Sequence, residues 1–458
     1  MTKDFLKELK KICPKGFIDK KEELLVYSFD TSQNEEVIIL PLAVVFPTNT
    51  DQISQIVKIA AKYGVSIVPR LKGTNHCGAT RPTDNSIVVN FSKMDKIINI
   101  DKENLIAEVE PGVVIGDLNK ELDKQGLFFA VDPSNLAVST IGGAIALCSG
   151  GPRTYKYGNA KDWIINLTVV LADGSIVETG KNIAKNVTGY NLTSLFVGSE
   201  GTLGLISKAT LKLIPKPSYR LLTLCYFDSI KQAALAATNI INSGLVPSVL
   251  DLIDKTTIET IEKFHPCNLL TEFDAALLIE LDGFFECVNI ENKILSKILQ
   301  ESDSKKIIQA KNEKENEDIW LARRSAFSAL AQLKPSVVTE DIVVPKSKIV
   351  ETVEFIQKLG KKYNIITAAM GHIGDGNIHP NFALDFNDPI EAENFEKLKD
   401  ELFNYAIKQE GTLSAEHGIG LAKKKYLALA VDKNALELMQ KIKILLDKNN
   451  IFNPKKSL

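Results

Sequence analysis

Residues 132–158, DPSNLAVSTIGGAIALCSGGPRTYKYG, constrain this chain more than any other stretch. Five glycines stand there among serines and threonines, and no acidic side chain follows Asp132. Glycine lets backbone approach a ligand closely, and successive free N–H groups with small hydroxyls form a concave anion site. An earlier loop, PRLKGTNHCGAT at 69–80, and a later one, GSEGTLG at 198–204, have the same character. Taken singly, each reads as an ordinary turn between strands. Three within one third of the chain point to a large phosphate-bearing ligand held along an extended line. A Rossmann G-x-G-x-x-G is missing, because GSEGTLG is spaced G-x-x-G-x-x-G. ADGSIVETGKN lacks both the glycine spacing and the Ser/Thr of a Walker A loop. Neither an NAD fold nor P-loop chemistry is indicated.

The 458 residues suffice for two or three domains. With 55 basic and 57 acidic residues, nothing favours a nucleic acid or an anionic membrane. No apolar run approaches the roughly 18 residues of a transmembrane helix, and the N-terminus has no secretory apolar core. A cytoplasmic address is expected. The six cysteines are scattered without C-x-x-C spacing, against a disulfide scaffold, a zinc ribbon and an iron–sulfur cluster.

Strand and helix signals alternate from Ala43. AVVFP (43–47) is a strand, and Thr50 is placed to N-cap a helix carrying Ile53, Ile56, Val57 and Ala60 on one face. WIINLTVVLADGSIVET (163–179) reads as a hairpin turning at Asp173-Gly174. Pro215 and Pro217 mark a boundary. Beyond it, strands are expected near 220–227, 247–253 and 273–282. A helix opens at KNEKENEDIW (311–320), VVTEDIVVP (337–345) is one strand, and two strands flank GDGN (374–377). The expected organisation is α+β: an N-terminal helical segment (1–36), a first domain (37–217), a second with an antiparallel sheet (218–410), and a helical C-terminal segment (411–458).

Three of the five histidines fall in two compact motifs, GHIGDGNIHPN (371–381) and GTLSAEHGIG (411–420). His372 and His379 are seven apart, which on a straight strand would point them to opposite faces. The turn at Gly374–Asn377 folds the chain back and removes that objection. Asn377, His379 and Asn381 then share a strand face. With Glu416, two histidines and a carboxylate suit Zn²⁺, Fe²⁺ or Mn²⁺ with positions open to a substrate. His417 is left to act as a base near neutral pH. The alternative is that these histidines are simply hydrogen-bonded core or surface residues.

These five motifs, in this order, resemble the FAD-linked oxidases of the vanillyl-alcohol oxidase type, in the D-lactate and glycolate dehydrogenase branch with a C-terminal cap domain. The resemblance spans nearly the whole chain from about Val37. It implies a flavin domain followed by an α+β cap. Leu71, Lys72, Gly73, Thr74, Asn75 and His76 match the loop that holds the FAD pyrophosphate. Pro133, Ser134, Ser139, Thr140, Gly142, Gly143, Ser149, Gly150 and Tyr157 match a second flavin segment, and Glu200, Gly201 and Ile206 a third. His372, His379 and Glu416 match the metal ligands and His417 the base. Arg323, or its neighbour Arg324, matches the arginine that pairs with the substrate carboxylate, and Asn381 a substrate-side amide.

Two departures qualify the match. Leu71 and Asn75 replace glycines of the first loop, and His76 and Cys77 are unusual there. A histidine beside a flavin raises covalent attachment, but His76 lies two residues beyond the usual point of linkage, so non-covalent FAD is expected. Relatives acting on 2-hydroxyglutarate carry Thr and Lys where Phe327 and Thr339 stand, which disfavours a second carboxylate on the substrate. The resemblance thus implies metal-assisted oxidation of a small D-2-hydroxy acid, D-lactate first. Electrons would pass to a soluble acceptor protein, an electron-transferring flavoprotein before an iron–sulfur subunit. A metal-dependent hydrolase and a non-catalytic electron-relay flavoprotein stand as alternatives from other classes.

Overall fold

A computed structural model describes residues 2–32 and 38–458; the expected boundary at residues 36 and 37 lies outside them. The chain divides into two compact units. The first comprises Met1–Gly150, Gly158–Lys216 and Glu416–Leu458, and the second Gly151–Tyr157 and Pro217–Ala415.

Two larger sheets and a two-stranded ladder, Leu127–Phe128 with Ile214–Pro215, build the first unit. Strands Val44–Val45, Ser86–Asn90 and Ser66–Arg70 run parallel, with Phe17–Ile18 added antiparallel at one edge. Helix Thr50–Tyr63 buries Ile53, Ile56, Val57 and Ala60 in the same core as Val45, Ile67 and Val89. At roughly 1.5–3 kcal/mol per buried aliphatic side chain, this face outweighs helix propensity as the reason the segment is helical. Its N-cap is Asn49 rather than the expected Thr50, with Asn49 Oδ1 accepting from the Gln52 amide at 2.9 Å. The second sheet is antiparallel, in the order Ile97–Asp101, Ile106–Val109, Leu205–Lys212, Ile164–Val170 and Ile176–Glu178. Its last two strands form the hairpin expected at Asp173-Gly174.

The stretch 132–158 is not all loop. Helix Ile141–Leu147 stands inside it, N-capped by Thr140, whose hydroxyl accepts from the Gly143 amide at 3.4 Å. Gly142 is required by crowding, since a Cβ there would lie 2.7 Å from Pro111 Cβ and 3.0 Å from Leu71. After helix Lys433–Leu446 the C-terminus joins the same unit: Phe452 bridges Ile67 in parallel, and the Ile67 amide donates to Ile451 O at 2.7 Å.

The second unit carries one antiparallel sheet, in the order Lys306–Gln309, Tyr219–Phe227, Ala275–Gly283, Val249–Asp254, Ile366–Gly371, Asn377–Leu384 and Ser336–Thr339. Ile342–Val343 also pairs with Asn377–Leu384. The single strand expected at 337–345 is therefore split at Glu340 and Asp341. The Glu340 amide donates to Pro380 O at 2.9 Å, but Pro380 has no N–H to return, so the ladder lapses there. Helix Glu313–Leu330 packs Ala322, Ala326, Ala329 and Leu330 into a core with Ile261, Ala368, Met370 and Ala383. No helix among the described residues is long and apolar enough to cross a membrane.

Candidate active site

In the second unit, adjacent strands of the sheet bring chemistry to one place. Register pairs Met370 with His379, so His372, just past the end of Ile366–Gly371, comes close to it. Their buried rings lie 5.0 Å apart, edge to face. The turn between them forms as expected, with Asp375 N donating to His372 O at 3.2 Å and Gly376 N to Ile373 O at 3.3 Å.

Asp251, fully buried on the neighbouring strand Val249–Asp254, organises this cluster. One oxygen lies 2.7 Å from His372 Nδ1, and the other accepts from Arg323 Nε at 2.8 Å. Burial alone would raise its pKa, but the adjacent His372 and Arg323 prevail and hold it below the usual carboxylate value. A carboxylate on Nδ1 is the arrangement that orients a metal-binding imidazole and directs its Nε2 to the metal. Arg323 is buried, and its terminal nitrogens have no protein acceptor among the described residues. Arg324 is exposed and lies against Trp320, 5.2 Å from the ring centre.

Asp341, also fully buried, stands 3.7 Å from His379 Nδ1. It accepts from Asn377 Nδ2 at 2.7 Å, Ser414 Oγ at 2.7 Å and the Ala415 amide at 2.8 Å. Glu416 and His417 follow that tethered alanine directly in the chain. Asn381 takes a bond from Thr339 Oγ1 at 2.6 Å and donates to His379 O at 2.8 Å, so both ends of its amide are engaged.

In the first unit, the loop after strand Ser66–Arg70 is closed by Asn75, one of the glycine replacements. Its Oδ1 accepts from Cys77 N at 3.3 Å and Ala79 N at 3.0 Å, and its Nδ2 donates to Thr80 Oγ1 at 2.9 Å. Upstream, the amides of Lys72, Gly73, Thr74 and Asn75 donate to no protein acceptor among the described residues. Four successive amides without acceptors fit a pyrophosphate. His417 joins this loop, its ring 5.0 Å from that of His76.

Other residues matched to the flavin make bonds within the protein. Glu200 is buried, and its carboxylate accepts from Ile419 N at 2.7 Å and Gly420 N at 2.8 Å, clamping the C-terminal segment. Burial raises its pKa. Gly201 and Ile206 lie just before and within strand Leu205–Lys212, and Pro133, Ser134, Ser139, Ser149 and Gly150 flank helix Ile141–Leu147. Tyr157 is placed in the second unit, its hydroxyl donating to Asp282 at 2.7 Å. Sequence reasoning missed Asp251 and Asp341. The one signal for Asp251 was a carboxylate inside an otherwise apolar strand pattern, VLDLI; Asp341 stands beside Glu340 at the head of the apolar run IVV.

The residues suit both implied groups. Unbonded amides meet a dinucleotide phosphate, and two buried imidazoles backed by carboxylates are a donor set for a divalent metal.

Comparison with known proteins agrees. Residues 41–180 match the FAD binding domain family and residues 216–457 the C-terminal domain of FAD linked oxidases. The chain belongs to the FAD-linked oxidase family. It is 42% identical over 457 residues to the glycolate oxidase subunit GlcD of Bacillus subtilis, covering 100% of this chain and 97% of that one. It is 33% identical over 460 residues to D-lactate dehydrogenase (cytochrome) 1 of Saccharomyces cerevisiae mitochondria, covering 97% and 77%. In fold it resembles p-cresol methylhydroxylase, a vanillyl-alcohol oxidase-type structure, with a TM-score of 0.83 at 16% identity, covering 99% of this chain and 96% of that chain.

Proposed function

We propose that this FAD-dependent oxidoreductase oxidises a small D-2-hydroxy acid, D-lactate first, to the 2-oxo acid, with a divalent metal held by His372, His379 and Glu416. The observation that carries this reading is Arg323: buried, fixed through Nε by Asp251, and with its terminal nitrogens available for a bidentate carboxylate pair. Bound FAD supplies a hydride acceptor, and the metal a Lewis acid for the substrate hydroxyl. Asp251 orients His372 and Arg323 together, so ligand and carboxylate anchor share one support. His417 takes the hydroxyl proton. Asn381, held by Thr339, presents its remaining N–H to the substrate.

Glycolate is the second reading, favoured by the 42% identity to a glycolate oxidase subunit. That relative is named as a subunit and the yeast one as a cytochrome-linked dehydrogenase, which supports a protein electron acceptor here. The cytoplasmic address expected from the sequence stays part of this reading. The test is an anaerobic visible spectrum titrated with D-lactate, L-lactate, glycolate and D-2-hydroxyglutarate. Bleaching by D-lactate and not by L-lactate is expected. Preferential bleaching by glycolate moves the substrate to the second reading, and no bleaching by any of the four refutes the proposal.

A further inference from the structure

Seven residues of the glycine-rich stretch, Gly151–Tyr157, belong to the second unit although the chain on either side belongs to the first. Two acids on strand Ala275–Gly283 hold them. Glu280 and Asp282 are both buried, and a buried carboxylate needs a paired cation or hydrogen bonds to stay charged. Arg153 supplies the first pair at 3.0 Å from Glu280, where Ser248 Oγ also donates at 2.8 Å and Trp320 Nε1 at 3.3 Å. Lys156 supplies the second, 2.5 Å from Asp282, together with the Tyr157 hydroxyl. For Glu280, burial acts to raise the pKa, yet Arg153 and Arg220 prevail and hold it below the usual value.

Between these anchors the segment touches both arms of the Asp251 cluster. The Arg153 guanidinium lies 5.5 Å from the ring centre of Trp320, one helical turn ahead of Arg323. Tyr155 packs on the turn that carries His372: a Cβ on Gly374 would meet its Cγ at 2.8 Å and its Cδ1 at 3.0 Å. Lys346 Nζ covers the same ring, 4.5 Å from its centre. From another side, the Gly374 amide donates to Leu250 O at 3.3 Å, the residue before Asp251. The His372 turn thus sits against both Tyr155 and the strand that carries Asp251.

We propose that Gly151–Tyr157 is a positioning strap for the substrate-binding side chains, with Tyr155 setting His372 and Arg153 setting the helix of Arg323. The strap deepens the function proposed above and rests on it only for what those side chains bind. A segment that merely ties the unit together would need its two ion pairs but not the ring of Tyr155. That difference makes the strap testable.

The test uses the flavin-loaded chain reconstituted with Zn²⁺ and carrying ring-labelled histidine. With five histidines, the ring signals are few enough to resolve, and His372 is the one lost in His372→Gln. Oxalate, a dicarboxylate with no oxidisable C–H, is titrated in parallel by calorimetry. Tyr155→Ala should move or split the His372 signal and weaken oxalate by about 10-fold, the lower end for losing a support behind a metal ligand. Tyr155→Phe keeps the ring and should do neither. Gly374→Ala should also disturb the His372 signal, through the clash of its Cβ with the ring. A His372 signal that stays put in Tyr155→Ala overturns the strap, whatever oxalate does. A wild-type protein that ignores oxalate overturns the substrate site instead, and the histidine signals still decide the strap.

Discussion

Replacing Asp251 with asparagine changes one atom type and removes the shared support of the site. The carboxylate meets Arg323 Nε with one oxygen and His372 Nδ1 with the other, at 2.8 and 2.7 Å. An amide has one oxygen. If that oxygen stays on Arg323, the NH₂ faces His372 and can only donate to Nδ1. The imidazole proton is then forced onto Nε2, the nitrogen assigned to the metal. Bonds to charged groups contribute about 1.5–3 kcal/mol each, and a buried arginine left without its counter-charge costs about 3–5 kcal/mol. These costs overlap, so about 3–5 kcal/mol is the expected total. At about 2–4 °C per kcal/mol for a unit of this size, Tm should fall by roughly 6–20 °C. Metal affinity should fall about 10–100-fold, as it does when the partner behind a ligating histidine is lost. Thermal unfolding and metal retention against graded chelator measure the two effects. An Asp251→Asn protein that melts with the wild type and keeps its metal would refute the argument that Asp251 supports both side chains.

Lys456 is buried, donating to Arg81 O and Asn453 Oδ1, and burial lowers its pKa to about 7. Unfolded, it stays protonated to about 10.4, so between those values the unfolded state binds the extra proton and stability rises with pH, by at most about 1.4 kcal/mol per unit. Melting at pH 7 and pH 9 should show wild type gaining on Lys456→Met; parallel melting curves would refute a buried neutral amine. Acid precipitation should release the yellow colour into the supernatant, and colour retained in the pellet would make His76 or Cys77 the attachment site. His417→Ala should keep metal and FAD yet slow flavin reduction by about 10²–10⁴-fold, as for loss of a positioned base, and unchanged reduction kinetics would remove it from the mechanism. Turnover should be faster with an electron-transferring flavoprotein than with oxygen, NAD or a quinone analogue; fast turnover on oxygen alone would sink the protein acceptor.

Local chemistry was the legible part of this chain. The Asp173-Gly174 hairpin, the Gly374–Asn377 turn and the helix at Glu313–Leu330 follow from turn residues and periodicity acting over a few positions. Where one element reads the other, local signals fail. The strand at 337–345 breaks because the residue opposite its gap is Pro380, whose missing N–H is invisible until register is known. Nothing local to Tyr157 announces that its hydroxyl is held by Asp282, 125 positions away. The motif histidines could be picked out, but what aims His372 lies 121 positions before it.

The supports of the site share one physical signature. Asp251 and Glu280 each lie inside a mostly apolar strand, VLDLI and LLIEL, and each is buried, while Asp341 is buried in the break between two strands. A carboxylate there cannot stay charged unless cations or hydrogen-bond donors come to it from other elements. An acid in a buried strand is therefore a statement that another part of the chain must arrive at that point. The sequence offers 55 lysines and arginines as candidates, and nothing local separates Arg153 or Arg323 from the rest. Geometry does so by bringing one to Glu280 and the other to Asp251. The same demand that makes these acids costly to bury ties distant elements together: the strap meets Glu280, and the long helix and the His372 turn meet Asp251.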